Sequence, residues 1–166
     1  MKAARIVKLG HAPQQLYFQQ GFILLDALIA VVIFSIGILG LVALQSSAIK
    51  LAGDAKYRTD AAMLADQVIA EMWANNAVSR AAFVTQYSGG TGTNGAAYTT
   101  WANTVDCTSK TAATGCLPGV TANPPVITVT PIASDTNDSL VKVTVKWQAP
   151  NDTGPHSYVS ITQIGI

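Results

Sequence analysis

An apolar run from Phe22 to Leu44, broken by one charged side chain at Asp26, constrains this chain more than any other feature. About 20 such residues cross a bilayer as a helix, and a helix apolar all round leaves no face to turn toward water. A cleaved secretory signal has an apolar core of about 7 to 15 residues followed by small residues. Ser46-Ser47-Ala48 offers such a site loosely, but the run is too long and continues into a patterned helix. An ordinary signal anchor explains the length and leaves Asp26 unexplained.

Only 11% of the residues are charged, against about 25% in soluble domains. Of the ten basic residues, Lys2, Arg5 and Lys8 precede the apolar run, so the remainder carries seven against nine acids. A basic nucleic-acid footprint is therefore missing from the main body, and no nucleic-acid partner is expected. Lys50, Lys56 and Arg58 balance the three leading cations across the run, so the positive-inside rule leaves orientation tied. Cys107 and Cys116 lie in a Gly/Thr/Ser-rich stretch. In a chain sent across a membrane such a pair reads as one disulfide, with two free thiols as the alternative.

No proline occurs between Pro13 and Pro118. The segment after the apolar run is rich in Ala, Lys, Asp, Glu and Gln, and Ala61, Leu64, Ala65, Val68, Ile69, Met72 and Trp73 recur at threes and fours. That spacing predicts one buried helix face. Lys50 with Asp54, Asp54 with Arg58 and Lys56 with Asp60 are expected as i,i+4 pairs on the exposed side. One helix of about 55 residues and about 80 Å is expected to run to about Asn76. Ser88 to Gly95 has the composition of a flexible loop. Val141, Val143, Val145 and Trp147 alternate with Lys142, Thr144, Lys146 and Gln148, the pattern of a half-buried strand. Val126–Ile132 and Tyr158–Ile164 fit as its neighbours in a three-stranded meander, with the face of Val68, Met72 and Trp73 as its lid. The expected fold is α+β, with residues 45–76 and 77–166 forming one globular domain.

The junction Gln20-Gly21-Phe22-Ile23-Leu24-Leu25-Asp26 resembles the cleavage and methylation motif of type IV prepilins, and Ser35-Ile36-Gly37-Ile38-Leu39-Gly40-Leu41-Val42-Ala43-Leu44-Gln45 is similar to the PilV-type minor pilins. The C-terminal half matches more loosely, through Cys116-Leu117-Pro118-Gly119 and the Val/Lys/Trp strand. The resemblance implies a leader, 1–21, cut after Gly21 by a prepilin peptidase, and N-methylation of Phe22. It implies that residues 22–44 are retained as a transmembrane and assembly helix, and that the domain after them lies in the periplasm. It further implies other minor and major pilins, the inner-membrane pilus assembly machinery and membrane lipid as partners. The family usually has Glu where this chain has Asp26, which is shorter by one methylene. A carboxylate in lipid is costly unless paired, and the resemblance supplies the α-amine of Phe22 on a neighbouring subunit. Otherwise Asp26 is a polar residue tolerated near the headgroups. Gly37 and Gly40 either allow close helix packing or mark a point where the helix unwinds in the filament.

A minor pseudopilin of a type II secretion system shares this leader and helix. An adhesive tip subunit, binding through Ser88–Gly95, is the alternative of another class. Catalysis finds little support. His11 lies in the leader, and His156 has no second acid, nucleophile or metal ligand at a suggestive spacing. No cofactor is expected. Asn137-Asp138-Ser139 and Asn151-Asp152-Thr153 match the glycosylation sequon, but both fall in expected hairpin turns, where these residues are favoured anyway.

Overall fold

The computed structural model describes residues 20–75, 79–133 and 137–165. The chain divides into two compact units, one ending at Ser46 and one beginning at Ser47. Helix α1 (Gln20–Ala74) has the 55 residues that the uninterrupted pattern predicts. Helices α2 (Arg80–Tyr87) and α3 (Ala96–Val105) follow, then strands β1 (Val126–Pro131), β2 (Asp138–Trp147) and β3 (His156–Gly165). The strands form one antiparallel sheet in the order β1-β2-β3, so the fold is α+β with the expected meander.

In the unit from Ser47 onward, α1 contributes Ala61, Leu64, Ala65, Val68 and Met72, all fully buried. They share one core with Val141, Val143, Val145 and Trp147 of β2, Ile127 and Val129 of β1, and Ile164 of β3. Facing pairs Ile127↔Val143 and Val129↔Val141 bring valine and isoleucine side chains together on the inner face of the sheet. The face of α1 is narrower than the sequence spacing suggested. Ile69 is only partly buried and Trp73 is 48% exposed. At 100° per residue Trp73 lies about 120° around the helix from Ala61, beyond the edge of the stripe. The indole that packs beside α1 is instead Trp101 of α3, which is 2% exposed and donates its Nε1–H to the Leu64 carbonyl at 3.0 Å.

Helices α2 and α3 replace part of what the sequence presents as loop. Ser79 caps α2, its hydroxyl accepting from the Ala82 amide at 3.4 Å, and Phe83 and Tyr87 pack one turn apart with ring centroids at 4.9 Å. Tyr98, Trp101 and Val105 form the buried face of α3. The run between these helices, expected to be flexible, is pinned: the Gly95 amide donates to the Ser88 carbonyl and the Gly90 amide to Asn94 Oδ1, each at 2.9 Å. Gly89 exchanges two backbone hydrogen bonds with Ile127, which ties this turn to the outer edge of β1.

Cys107 and Cys116 form the expected disulfide. The segment it closes is also held by backbone bonds from Ala113 to Thr104 and from Leu117 to Val105, and by the Asp106 carboxylate, which accepts from the Thr108 amide at 2.9 Å and the Thr121 hydroxyl at 3.0 Å. Burial works to raise the Asp106 pKa, but these hydrogen bonds overcome it and hold the group below the ordinary carboxylate value. Replacing both cysteines by serine should cost about 2–3 kcal/mol, from the loop entropy returned to the unfolded chain. A thermal melt of oxidised, reduced and double-serine protein checks this, and coincident melts would contradict it.

Candidate functional site

The unit that ends at Ser46 contains the part of α1 with the clearest functional surface. Phe22, Ile23, Leu24, Leu28, Val31, Ile33, Phe34, Ile36, Leu39, Leu41 and Leu44 are all exposed, Phe22 at 71%. Exposed apolar side chains on every side make this a helix long and apolar enough to cross a membrane, and none of its most apolar stretch is buried within the protein. A core helix of a water-soluble domain would bury one stripe. The Ser35 hydroxyl donates to the Val31 carbonyl at 2.7 Å, so this polar group is satisfied inside the helix.

Residues 1–19 of the expected leader lie outside the described residues, while Gln20 and Gly21 form the start of α1. Phe22 and Asp26 follow one turn apart on the same helical side, a rise of about 6 Å, and both are exposed. Helix α1 continues unbroken through Gly37 and Gly40, and apart from the adjoining helix backbone no atom lies within 4 Å of where a Cβ would sit on either. Nothing in the described chain therefore requires glycine at these two positions. Cys107 and Cys116 are brought together, but only as a structural crosslink near the end of α3.

The unit from Ser47 onward assembles a second group of side chains that the sequence keeps far apart. The β2–β3 connection folds back through the Asp152 amide to the Ala149 carbonyl (3.1 Å) and Gln148 Nε2 to the Asp152 carbonyl (3.0 Å), with Asn151 in the left-handed region at φ 72°. Asn tolerates that conformation, so the second sequon does sit in a turn, whereas Asp138 and Ser139 of the first are already paired in β2. The turn sets Asp152 Oδ2 3.1 Å from His156 Nε2, and the imidazole stacks on Trp147 at 5.7 Å. Asp54 of α1 completes the group: one ligand-type atom each from Asp54, Asp152 and His156 all lie within 4.8 Å of one another.

This arrangement corrects two of the three ion pairs expected along α1. Lys56 pairs with Asp60 at 2.7 Å as expected. Lys50 instead sets its Nζ 3.7 Å from Asp152 Oδ1, and Asp54 joins the Asp152–His156 group rather than pairing with Lys50 or Arg58. The tertiary fold brings the Asp152 carboxylate, whose side chain is only 7% exposed, within reach of the Lys50 ammonium, while Asp54, itself a carboxylate, is carried beside it by α1. For Lys50, a weak i,i+4 pair on the helix surface gives way to a carboxylate shielded from water. The i,i+4 spacing of Asp152 and His156 was visible in the sequence, but turn composition already accounted for Asp152 there, and nothing local points to Asp54.

No protein-family model, curated protein or solved structure matches this chain.

Proposed function

We propose that this chain is a minor type IV pilin of the PilV type, a non-catalytic subunit that takes part in assembling or initiating a pilus. The observation that carries this is the first half of α1, apolar on every side and exposed, with its single acid one turn after the phenylalanine that follows Gly21. A helix of that kind has two environments available, lipid and the apolar faces of other such helices. A prepilin peptidase cuts after Gly21 and Phe22 is N-methylated, leaving an α-amine that is mostly cationic near neutral pH. The subunit waits in the inner membrane with the domain from Ser47 onward in the periplasm, where an oxidising environment suits the Cys107–Cys116 bond.

During assembly the Asp26 carboxylate meets the Phe22 amine of a neighbouring major or minor pilin, which neutralises both charges and sets helix register. Open space at Gly37 and Gly40 suits close approach of a neighbouring helix, because small residues let backbones come together in membranes. The inner-membrane pilus machinery supplies the work of extraction from lipid.

Mass spectrometry of the mature N-terminus tests this directly. The expected product begins at an N-methylated Phe22, and Gly21→Leu should leave the full-length precursor as the sole species. A shortened protein recovered normally from Gly21→Leu, or an unmodified terminus elsewhere, would reject the assignment.

A further inference from the structure

We propose that Asp54, Asp152 and His156 form a binding site for a divalent transition-metal ion of the zinc class, which staples α1 to the β2–β3 hairpin. The three donor atoms converge from two distant parts of the chain to within 4.8 Å of one another. Tetrahedral zinc, with bonds near 2.0–2.1 Å, needs its ligand atoms about 3.3 Å apart. Rotamer adjustments of about 1.5 Å or less close that gap, and one pair, Asp152 Oδ2 to His156 Nε2, already stands at 3.1 Å.

Electrostatics favours an ion here. Two carboxylates converge beside an imidazole, and the Asp152 side chain is nearly enclosed. Its present cationic partner is Lys50, whose side chain is 67% exposed and reaches only to 3.7 Å. A long, solvated ammonium at that distance compensates only part of two converging carboxylate charges. A bound dication neutralises both acids at once and releases Lys50 from the Asp152 carboxylate.

The surroundings supply room and orientation. A cleft of about 380 Å³ opens beside the three ligands, with Lys50 on its wall, and leaves space for a fourth position on the ion. Trp147 and Arg58 line an adjoining cleft with Asp54 and His156. The Trp147 indole N–H is buried without an acceptor among the described residues, which marks this wall as tightly packed. Stacking on Trp147 holds the His156 ring in place. The mixed nitrogen and oxygen set selects the metal class: imidazole with carboxylates suits zinc and its neighbours, whereas calcium takes six to eight oxygens and magnesium a near-ideal octahedron.

The test uses the untagged full chain in detergent micelles, stripped with chelator and titrated with zinc chloride or calcium chloride by calorimetry and by tryptophan fluorescence. One zinc ion per chain is expected, with calcium bound at least about 100-fold more weakly. His156→Gln and Asp54→Asn should each weaken zinc about 10- to 100-fold. Both retain His11, so leader binding cannot mimic the loss. Asp54 lies on the helix outside the hairpin hydrogen bonds, and circular dichroism verifies that its variant is folded. Lys50→Ala should tighten zinc several-fold by removing the competing ammonium. Equal zinc affinity in the wild type, His156→Gln and Asp54→Asn, or calcium bound as tightly as zinc, would overturn the proposal.

Discussion

Trp101→Ala is expected to lower the stability of the unit from Ser47 onward by about 3–5 kcal/mol, the range for deleting a fully buried large aromatic. Three losses combine at this position. The indole is 2% exposed, so its removal leaves a cavity between α3 and the Ala61/Leu64/Ala65 face of α1. Its N–H bond to the Leu64 carbonyl, a polar link between α3 and α1, disappears. The edge-on contact with Tyr98, at 6.2 Å between ring centroids, goes with it. Trp101→Phe separates these effects, because it keeps most of the apolar area and loses the hydrogen bond. The Leu64 carbonyl lies within α1 and keeps its helical amide partner, so that variant should cost only about 1–2 kcal/mol. Trp73→Ala is the control, since the exposed Trp73 should change stability by no more than about 0.5 kcal/mol. Near-UV circular dichroism melts in detergent should show a fall on the order of 10–20 °C for Trp101→Ala. Equal effects at the two tryptophans would mean that the core is centred on the wrong residue.

Gly95→Ser should destabilise the same unit by about 3 kcal/mol or more, although helix rules by themselves point the other way. Gly95 occupies the N-cap of α3, where serine ordinarily improves on glycine by a few tenths of a kcal/mol. Its backbone, at φ −70° and ψ 158°, is comfortable for any residue, so strain is not the reason for glycine here. Close approach is. A Cβ on residue 95 would lie 2.0 Å from the Gln86 carbonyl oxygen and 2.4 Å from that of Thr85, both backbone atoms at the end of α2. Rotating a side chain cannot relieve such contacts. The α2–α3 turn must open, and the bond from the Gly95 amide to Ser88 is strained or broken with it. Urea unfolding followed by the same signal provides the measurement. A stability equal to or above wild type would show that α2 and α3 do not approach this closely.

The candidate sites differ in how far local pattern could disclose them. Asp26 stands out because a charge inside an apolar run is conspicuous by contrast with its neighbours. Cys107 and Cys116 are legible because few residues separate them and the run suggests export. Asp54 carries no such mark: among Lys50, Lys56, Arg58 and Asp60 it looks like one more member of a solvated helix face. What distinguishes it is the hairpin packed beside it, and that neighbour is supplied by residues a hundred positions later.

The sequence by itself determined the elements whose signal repeats along the chain. The apolar circumference of Phe22–Leu44, the stripe from Ala61 to Met72 and the alternation of Val141, Val143, Val145 and Trp147 each follow from one solvent boundary acting on one regular geometry. Only the tertiary structure decided which tryptophan enters the core, that two helices of eight and ten residues lie between α1 and the sheet, and that Asp54 faces Asp152 and His156. Those outcomes depend on side chains competing for the same buried space and the same counter-charges across long separations. A local period contains no term for that competition, because burial of Trp101 or Asp152 is set by whichever element arrives opposite it.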